Sequence, residues 1–290
     1  MRNSINDSST DPTMPTSSSS IPAESDDFQV LREVAYLPAD RTEKADLYLP
    51  TEIPEGQLAP AVLVIHGGGF RTLAKDSPRE VNICGNLALH GYIALSIDYA
   101  LAAEGKPEWP RNLHDCKTAV RWLRANAERY QIDPDRIGVM GGSAGGTLAS
   151  LVAMTLAEDG LDPDGPYGEL SCAVSCAVDL YGVSDIAKWN EDTVLFGKTF
   201  AEAPELYRQA SPMTYVRPDG APQLIVHGTA DETVNVSQSA DFALALEQAG
   251  SPQELIIVPG ARHSFHLEPE QRDLRPAVLG FLDRYLKSSD

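Results

Sequence analysis

The chain has 290 residues, of which 42% are hydrophobic and 22% are charged, and 42 acidic against 23 basic side chains give a formal net charge of −19. This length and composition predict one large globular domain or two small ones, and they exclude a disordered or fibrous protein. Such an acidic chain repels nucleic-acid phosphates and anionic lipids, and no apolar run approaches the roughly 18 residues of a membrane span. We therefore expect no nucleic-acid partner and no membrane.

The N-terminal 27 residues are rich in Ser, Thr and Pro, and we predict that they form a disordered tail. They have neither the basic start nor the apolar core of a signal peptide, which favours a cytoplasmic protein, although secretion stays open if the N-terminus was trimmed. Residues 28–290 are predicted to form a single domain.

Two β-prone runs, Gln29 to Tyr36 and Lys44 to Leu49, follow the tail and predict a pair of strands at a sheet edge. After them, short runs rich in Val, Ile and Leu alternate with stretches of helical periodicity. The predicted strands are Ala61 to Ile65, Tyr92 to Ile97, Arg136 to Met140, Ala173 to Leu180, Gln223 to His227 and Glu254 to Val258. The predicted helices include Asn112 to Tyr130, Ala144 to Ala157, Val236 to Ala249 and Asp273 to Leu286. This alternation predicts an α/β fold, a mostly parallel central sheet with helices on both faces.

The stretch from Gly182 to Pro222 interrupts this alternation. It is too long for a simple connection, and it contains Trp189, Phe196 and several prolines. Long loops in compact domains are usually functional, so we interpret this stretch as a small cap insertion over a site.

The four cysteines are too few for a disulfide framework in a chain of this length. No further pair of His or Cys residues completes a zinc site beside any of them. We expect no metal and four buried small hydrophobic side chains, namely Cys84, Cys116, Cys172 and Cys176.

The sharpest local motif is Gly-Gly-Ser-Ala-Gly-Gly at residues 141–146, between a predicted strand and a predicted helix. This is the context of a G-x-S-x-G nucleophile elbow, a tight turn that lifts the hydroxyl of Ser143 above the sheet. The positive end of the following helix points at the same place. A phosphate-binding glycine turn is the alternative, but the Lys of a P-loop and the Rossmann spacing are both missing.

A second glycine motif, His-Gly-Gly-Gly-Phe at residues 66–70, follows the predicted strand Ala61 to Ile65. Three consecutive glycines leave backbone N–H groups free of side-chain obstruction. Such groups can form an oxyanion hole, although a flexible glycine turn is the alternative when the motif is taken alone.

A serine nucleophile needs a base within hydrogen-bonding reach and a carboxylate that orients the base. We favour His263 over His266 as the base, because it lies nearer the end of the last predicted strand. We favour Asp231 as the carboxylate, because it follows the penultimate strand at the carboxyl edge of the sheet. The rivals of Asp231 are Glu232, Asp98 and Asp179. The order Ser143, Asp231, His263 is the α/β-hydrolase order.

With these residues in place, the chain resembles the α/β-hydrolases of the hormone-sensitive-lipase-like group, and more closely the bifunctional feruloyl and acetyl-xylan esterase type. The resemblance extends from about Val34 to Leu286. The matching segments are residues 44–50, 66–70, 98–101, 109–115, 121–124, 133–137, 142–146, 210–212, 227–231 and 260–263. The resemblance implies Ser143 as nucleophile, His263 as base, Asp231 as orienting carboxylate, and oxyanion donors on Gly68, Gly69 and Ala144.

Two departures from the family pattern bear on the substrate. Ala100 stands where these relatives usually have Arg, and no secretion signal is visible although relatives that act on plant polysaccharide are normally exported. Kynurenine formamidase resembles the same pattern, so an arylformamidase-like amide hydrolase is an alternative.

We expect a serine esterase that hydrolyses short-acyl or aryl esters through an acyl-serine intermediate, with no cofactor. Acetyl or feruloyl groups on carbohydrate are candidate substrates, and the oligomeric state stays open. The predicted substrate pocket is lined by Phe70, Trp109, Trp189 and Phe196, though each is also a typical core residue. Because the fold also hosts proteins that have lost catalysis, a non-catalytic binding protein is the remaining alternative.

Overall fold

The computed structural model describes residues 27–287. The predicted tail, residues 1–27, lies outside the described residues apart from Asp27. The described part is built on one sheet whose strands are β1 (Phe28–Val34), β2 (Ala45–Pro50), β3 (Ala59–Ile65), β4 (Ile93–Ile97), β5 (Ile132–Gly142), β6 (Cys176–Leu180), β7 (Gln223–Gly228) and β8 (Gln253–Val258). Their order is β1-β2-β4-β3-β5-β6-β7-β8. Strand β2 pairs antiparallel with β1 and β4, and every other pair is parallel, which confirms the predicted fold class.

The helices lie on both faces of this sheet. They are α1 (Pro78–Leu89), α2 (Arg111–Ala125), α3 (Ala127–Tyr130), α4 (Ala144–Met154), α5 (Ile186–Trp189), α6 (Pro204–Gln209), α7 (Ser237–Ala249) and α8 (Arg275–Leu286). One core cluster packs α2, α4 and α7 on one face, and a second cluster packs α1 and α8 on the other. Strand β3 contributes side chains to both clusters. Leu63 and Ile65 belong to the first cluster, and Val62 and Val64 belong to the second. Alternate side chains of a strand point to opposite faces, so a continuous apolar run contributes side chains to the cores on both faces of the sheet.

Several predicted boundaries were wrong. Strand β5 begins at Ile132 instead of Arg136, and α4 ends at Met154 instead of Ala157. Two further errors lie where side chains bind the backbone. The helix predicted from Asn112 to Tyr130 is interrupted at Asn126, whose side-chain amide donates to the carbonyl of Trp122. The strand predicted from Ala173 begins only at Cys176, because the guanidinium of Arg124 binds the carbonyls of Ser171 and Ala173. At Ala173 the guanidinium occupies a carbonyl that the predicted strand would have used, whereas the Trp122 carbonyl accepts from both the backbone N–H and the side-chain amide of Asn126.

The segment between β6 and β7 contains α5, α6 and a 3₁₀ turn at Pro212–Tyr215. Its aromatic side chains pack together, with the Phe196 and Tyr207 rings 4.4 Å apart. This packing accounts for the apolar residues of a segment that has no strand of its own, and the role of a cap stays a prediction.

All four cysteines are buried and free, as predicted. Within residues 27–287 no helix is both long enough and apolar enough to cross a bilayer.

Candidate active site

Ser143 lies at the turn from β5 into α4, in the middle of the sheet. Its backbone has φ 57° and ψ −125°, a conformation rare for a residue with a side chain. A Cβ on Gly145 would lie 2.1 Å from the carbonyl oxygen of Ile65, so only glycine fits there. The turn therefore brings α4 against the end of β3 and leaves the serine hydroxyl at the carboxyl edge of the sheet.

Ser143, His263 and Asp231 are joined by hydrogen bonds, although they follow three different strands. The Nε2 atom of His263 is 2.9 Å from the Ser143 hydroxyl oxygen, and its Nδ1 atom is 2.6 Å from Asp231 Oδ2. Because ionised Asp231 can only accept, Nδ1 bears the proton and Nε2 is free to accept the serine proton. The arrangement can therefore turn a hydroxyl into a nucleophile.

The side chain of Asp231 has no solvent exposure. Burial by itself would raise the pKa of this carboxyl, but hydrogen bonds from His227, His263 and the Val234 N–H hold the pKa well below its usual range. Asp231 therefore stays ionised through the physiological pH range, as an orienting carboxylate requires.

The glycine loop after β3 lies beside the serine turn. Gly68 has φ 92°, and a Cβ on it would lie 2.1 Å from the carbonyl oxygen of Thr72. Within residues 27–287, the N–H groups of Gly68 and Gly69 donate to no backbone acceptor. The N–H of Ala144 opens α4, where the first N–H groups have no acceptor inside the helix. These three groups are available to a developing negative charge.

His66, the first residue of the glycine motif, supports this loop. The ring of His66 stacks on Tyr99 with centroids 4.3 Å apart, and its Nδ1 is 2.8 Å from the carbonyl oxygen of Gly67. The Tyr99 hydroxyl donates to the carbonyls of His66 and Gly67. Burial lowers the pKa of His66 to about 4, so its ring is neutral and is a buried support of the turn.

A tyrosine at the end of β6 supports the histidine loop. The ring of Tyr181 meets the ring of His263 edge to face at 4.8 Å, and its hydroxyl donates to the carbonyl of Phe265. Arg79, on α1, donates to the Tyr181 hydroxyl at 3.0 Å and to Glu80 at 2.8 Å. The motifs did not reveal Tyr181 or Arg79, because they reach the site from positions far apart in the chain.

The residues considered as alternatives to His263 and Asp231 are exposed or make other contacts. His266 accepts from the N–H of Glu268, and Glu232 is exposed. Asp98 accepts from the N–H of Lys75, and Asp179 accepts from the N–H of Gly182. Among the residues described, no cluster of three or more His, Cys, Asp or Glu side chains could hold a metal ion.

The four residues predicted to line a substrate pocket are distributed over three places. Trp109 and Phe196 meet edge to face with ring centroids 6.4 Å apart, and Phe196 is buried. Phe70 is also buried in the core. Trp189 is half-buried, and its ring N–H donates to the carbonyl of Thr233, two residues after Asp231. Only Trp109 and Phe196 come together, and a shared pocket stays a prediction.

The chain matches one known family profile and is similar to several curated proteins. Residues 45–246 match the profile of the family described as BD-FAE. Esterase LipQ of Mycobacterium tuberculosis is 29% identical over 86% of this chain, and ethyl acetate hydrolase of Pseudomonas putida is 30% identical over 76% of it. The chain spans 61% of the length of LipQ and 70% of the hydrolase.

A solved structure extends the comparison to the fold. The truncated form of a carbohydrate esterase from gut microbiota superimposes with a TM-score of 0.79 at 26% identity. The match covers 90% of this chain and 97% of that one.

Proposed function

The chain belongs to the BD-FAE family of α/β-hydrolases, and from this membership and the geometry of the site we propose that it is a serine esterase acting on short-acyl esters. The observation that supports this most directly is the line of contacts from Ser143 through His263 to Asp231, 2.9 Å and 2.6 Å long. Together with three free N–H groups beside the hydroxyl, this line provides a nucleophile, a base and an oxyanion hole.

In the first half of the proposed reaction, the Ser143 hydroxyl attacks the ester carbonyl while His263 Nε2 accepts its proton. The carbonyl oxygen becomes an oxyanion, and the N–H groups of Gly68, Gly69 and Ala144 stabilise its charge. The intermediate then collapses. The bond to the alcohol breaks, and the alcohol leaves with the proton from His263.

In the second half, water attacks the acyl-serine as His263 accepts one of its protons. The second tetrahedral intermediate breaks its bond to Ser143, which regains the proton, and the carboxylic acid is released. Asp231 keeps the His263 ring oriented and stabilises its charged form in both halves. The reaction needs no cofactor to balance.

We propose acetyl esters, including acetyl groups on carbohydrate, as the substrate class. Among the similar proteins are a carbohydrate esterase that this chain covers almost completely and an ethyl acetate hydrolase. Feruloyl esters, whose acyl group has an aromatic ring, are the second class to test, because Phe196 of the predicted cap segment forms an edge-to-face pair with Trp109.

Hydrolysis of p-nitrophenyl acetate by the wild type and by Ser143→Ala tests the mechanism. Removal of the nucleophile should lower kcat by about 10³-fold or more, because the hydroxyl forms the acyl intermediate. Circular dichroism of both proteins controls for folding. Equal activity in the two proteins would show that Ser143 is not the nucleophile.

A substrate panel then tests the class. We expect acetyl and propionyl esters to exceed a palmitoyl ester in kcat/KM, and we expect release of acetate from acetylated xylan. Methyl ferulate, N-formylkynurenine and a peptide amide complete the panel. If the formyl amide is preferred by orders of magnitude, the arylformamidase alternative replaces the esterase, and an inactive but folded wild type would favour a binding protein.

A further inference from the structure

The carboxylate of Asp231 is surrounded by four donors. Its Oδ1 accepts from the N–H groups of Thr233 and Val234 at 2.9 and 2.8 Å. Its Oδ2 faces Nδ1 of His263 at 2.6 Å and Nε2 of His227 at 3.2 Å. A carboxylate has about four lone-pair positions, so four neighbouring N–H groups are as many as this one can take. Three of these donors belong to a catalytic residue or to the local turn, and the fourth, His227, does not.

His227 is fully buried at the end of β7, and each ring nitrogen has a partner. Its Nδ1 is 2.7 Å from the hydroxyl of Ser239 on α7, and its Nε2 is 2.9 Å from the carbonyl oxygen of Val234. A carbonyl can only accept, so Nε2 must bear the proton and the Ser239 hydroxyl must donate to Nδ1. The opposite tautomer would turn the Nε2 lone pair toward the oxygens of Val234 and Asp231.

The Nε2–H of His227 therefore donates to the Val234 carbonyl at 2.9 Å, and the same nitrogen lies 3.2 Å from Asp231 Oδ2. This contact places an N–H group beside the same oxygen that binds His263, and it limits rotation of the carboxylate. The line of contacts is then continuous over five side chains, namely Ser239, His227, Asp231, His263 and Ser143.

We propose that His227 is a positioning residue for Asp231, and that Ser239 selects the tautomer of His227 that can do so. This proposal rests on the proposed esterase function, because the aspartate matters for catalysis only if His263 is the base. His227 has no solvent exposure, so it acts through Asp231 and touches no substrate. Its loss should consequently change kcat and leave KM unchanged.

The test compares His227→Gln with His227→Asn in the full chain. A glutamine amide reaches the position of Nε2 and retains the donor toward Asp231, whereas the shorter asparagine amide reaches only the position of Nδ1. We expect His227→Asn to lose about 10- to 100-fold in kcat for p-nitrophenyl acetate, the range for a lost hydrogen bond to a charged group. His227→Gln should stay within about threefold of the wild type. KM should be unchanged in both.

Proton NMR gives a readout that does not depend on turnover. The proton shared by His263 and Asp231 in their 2.6 Å contact should resonate far downfield. We expect this resonance to shift or broaden in His227→Asn and to be retained in His227→Gln. Ser239→Ala should lose a smaller part of kcat, about threefold to tenfold, and it provides the test if His227→Asn does not fold.

A wild-type kcat and an unmoved resonance in folded His227→Asn and Ser239→Ala would overturn the proposal, as would equal losses in His227→Asn and His227→Gln. If the wild type has no esterase activity, the proposed function fails, but the resonance still decides whether His227 positions Asp231.

Discussion

The two sides of the candidate site are held in different ways. On the serine side, at the ends of β3 and β5, backbone packs on backbone, and the positions of Gly68 and Gly145 leave no room for a side chain. On the histidine side, at the ends of β7 and β8, side chains such as Tyr181 and His227 position the loops through hydrogen bonds and ring contacts. The serine side should therefore tolerate no added atom, and the histidine side should lose function by degrees as partners are removed.

Adding one methyl group tests the serine side and should have the largest effect. In Gly145→Ala the new Cβ would lie 2.1 Å from one backbone carbonyl oxygen, that of Ile65, and 2.6 Å from the next. Because backbone must move to relieve this contact, we expect unfolding free energy to fall by more than about 3 kcal/mol and activity to be lost. Urea denaturation measures the change.

Gly280→Ala is the matched control for that substitution. Gly280 lies inside α8, and a Cβ there would meet nothing within 4 Å. We expect this variant to be more stable than the wild type by up to about 1 kcal/mol, because alanine favours a helix. A similar loss in both variants would mean that the close packing at Gly145 is not the cause.

Strand β6 lies between the two sides and contains Asp179, a buried carboxyl. The pH dependence of the unfolding free energy tests its ionisation. Burial raises the pKa of Asp179, on β6, to about 6 from the usual 3.8, although the N–H of Gly182 and the hydroxyl of Ser150 partly oppose this. The folded protein thus binds the proton more tightly, so ionisation of Asp179 lowers the unfolding free energy as pH rises from about 4 to about 6.

Asp179→Asn should remove this effect. We expect the variant to be more stable than the wild type by about 2–3 kcal/mol above pH 6, and the difference should shrink as pH falls toward 4. Denaturant unfolding at several pH values gives the difference curve. A difference that does not vary with pH would show that Asp179 ionises normally in the folded protein.

Tyr181→Phe tests the histidine side and should have the smallest effect. It removes the hydroxyl that donates to the carbonyl of Phe265 and accepts from Arg79. We expect a loss of about 1–2 kcal/mol in unfolding free energy and a lower kcat, because the loop of His263 is less firmly held. Thermal unfolding and p-nitrophenyl acetate kinetics measure both.

Tyr48→Phe is the control for the lost hydroxyl. Tyr48 is buried on β2, and within the described residues its hydroxyl has no hydrogen-bond partner. The control should be as stable as the wild type or slightly more stable, with unchanged kcat. If the two variants behave alike, the hydroxyl of Tyr181 does not hold the histidine loop.

The sequence predicted the serine side better than the histidine side. Glycines at residues 66–70 and 141–146 mark backbone turns, and a turn is a local structure that the residues of the turn determine. The candidate histidine and aspartate were predicted from their order after strands, but the side chains that support them were not predicted. His227 appeared only within the matching segment 227–231, although its place four residues before Asp231 was a usable signal.

The sequence by itself determined the fold class, the strand-turn-helix around Ser143 and the chain order of the three candidate catalytic residues. These depend on periodicity and on short motifs, which are local properties of the chain. The tertiary structure alone decided that Ser143 meets His263 across 120 positions and that Arg79 meets Tyr181 across 102. Contacts of that separation depend on how the strands are ordered in the sheet and on which side chains its edge brings together, and no local pattern encodes either.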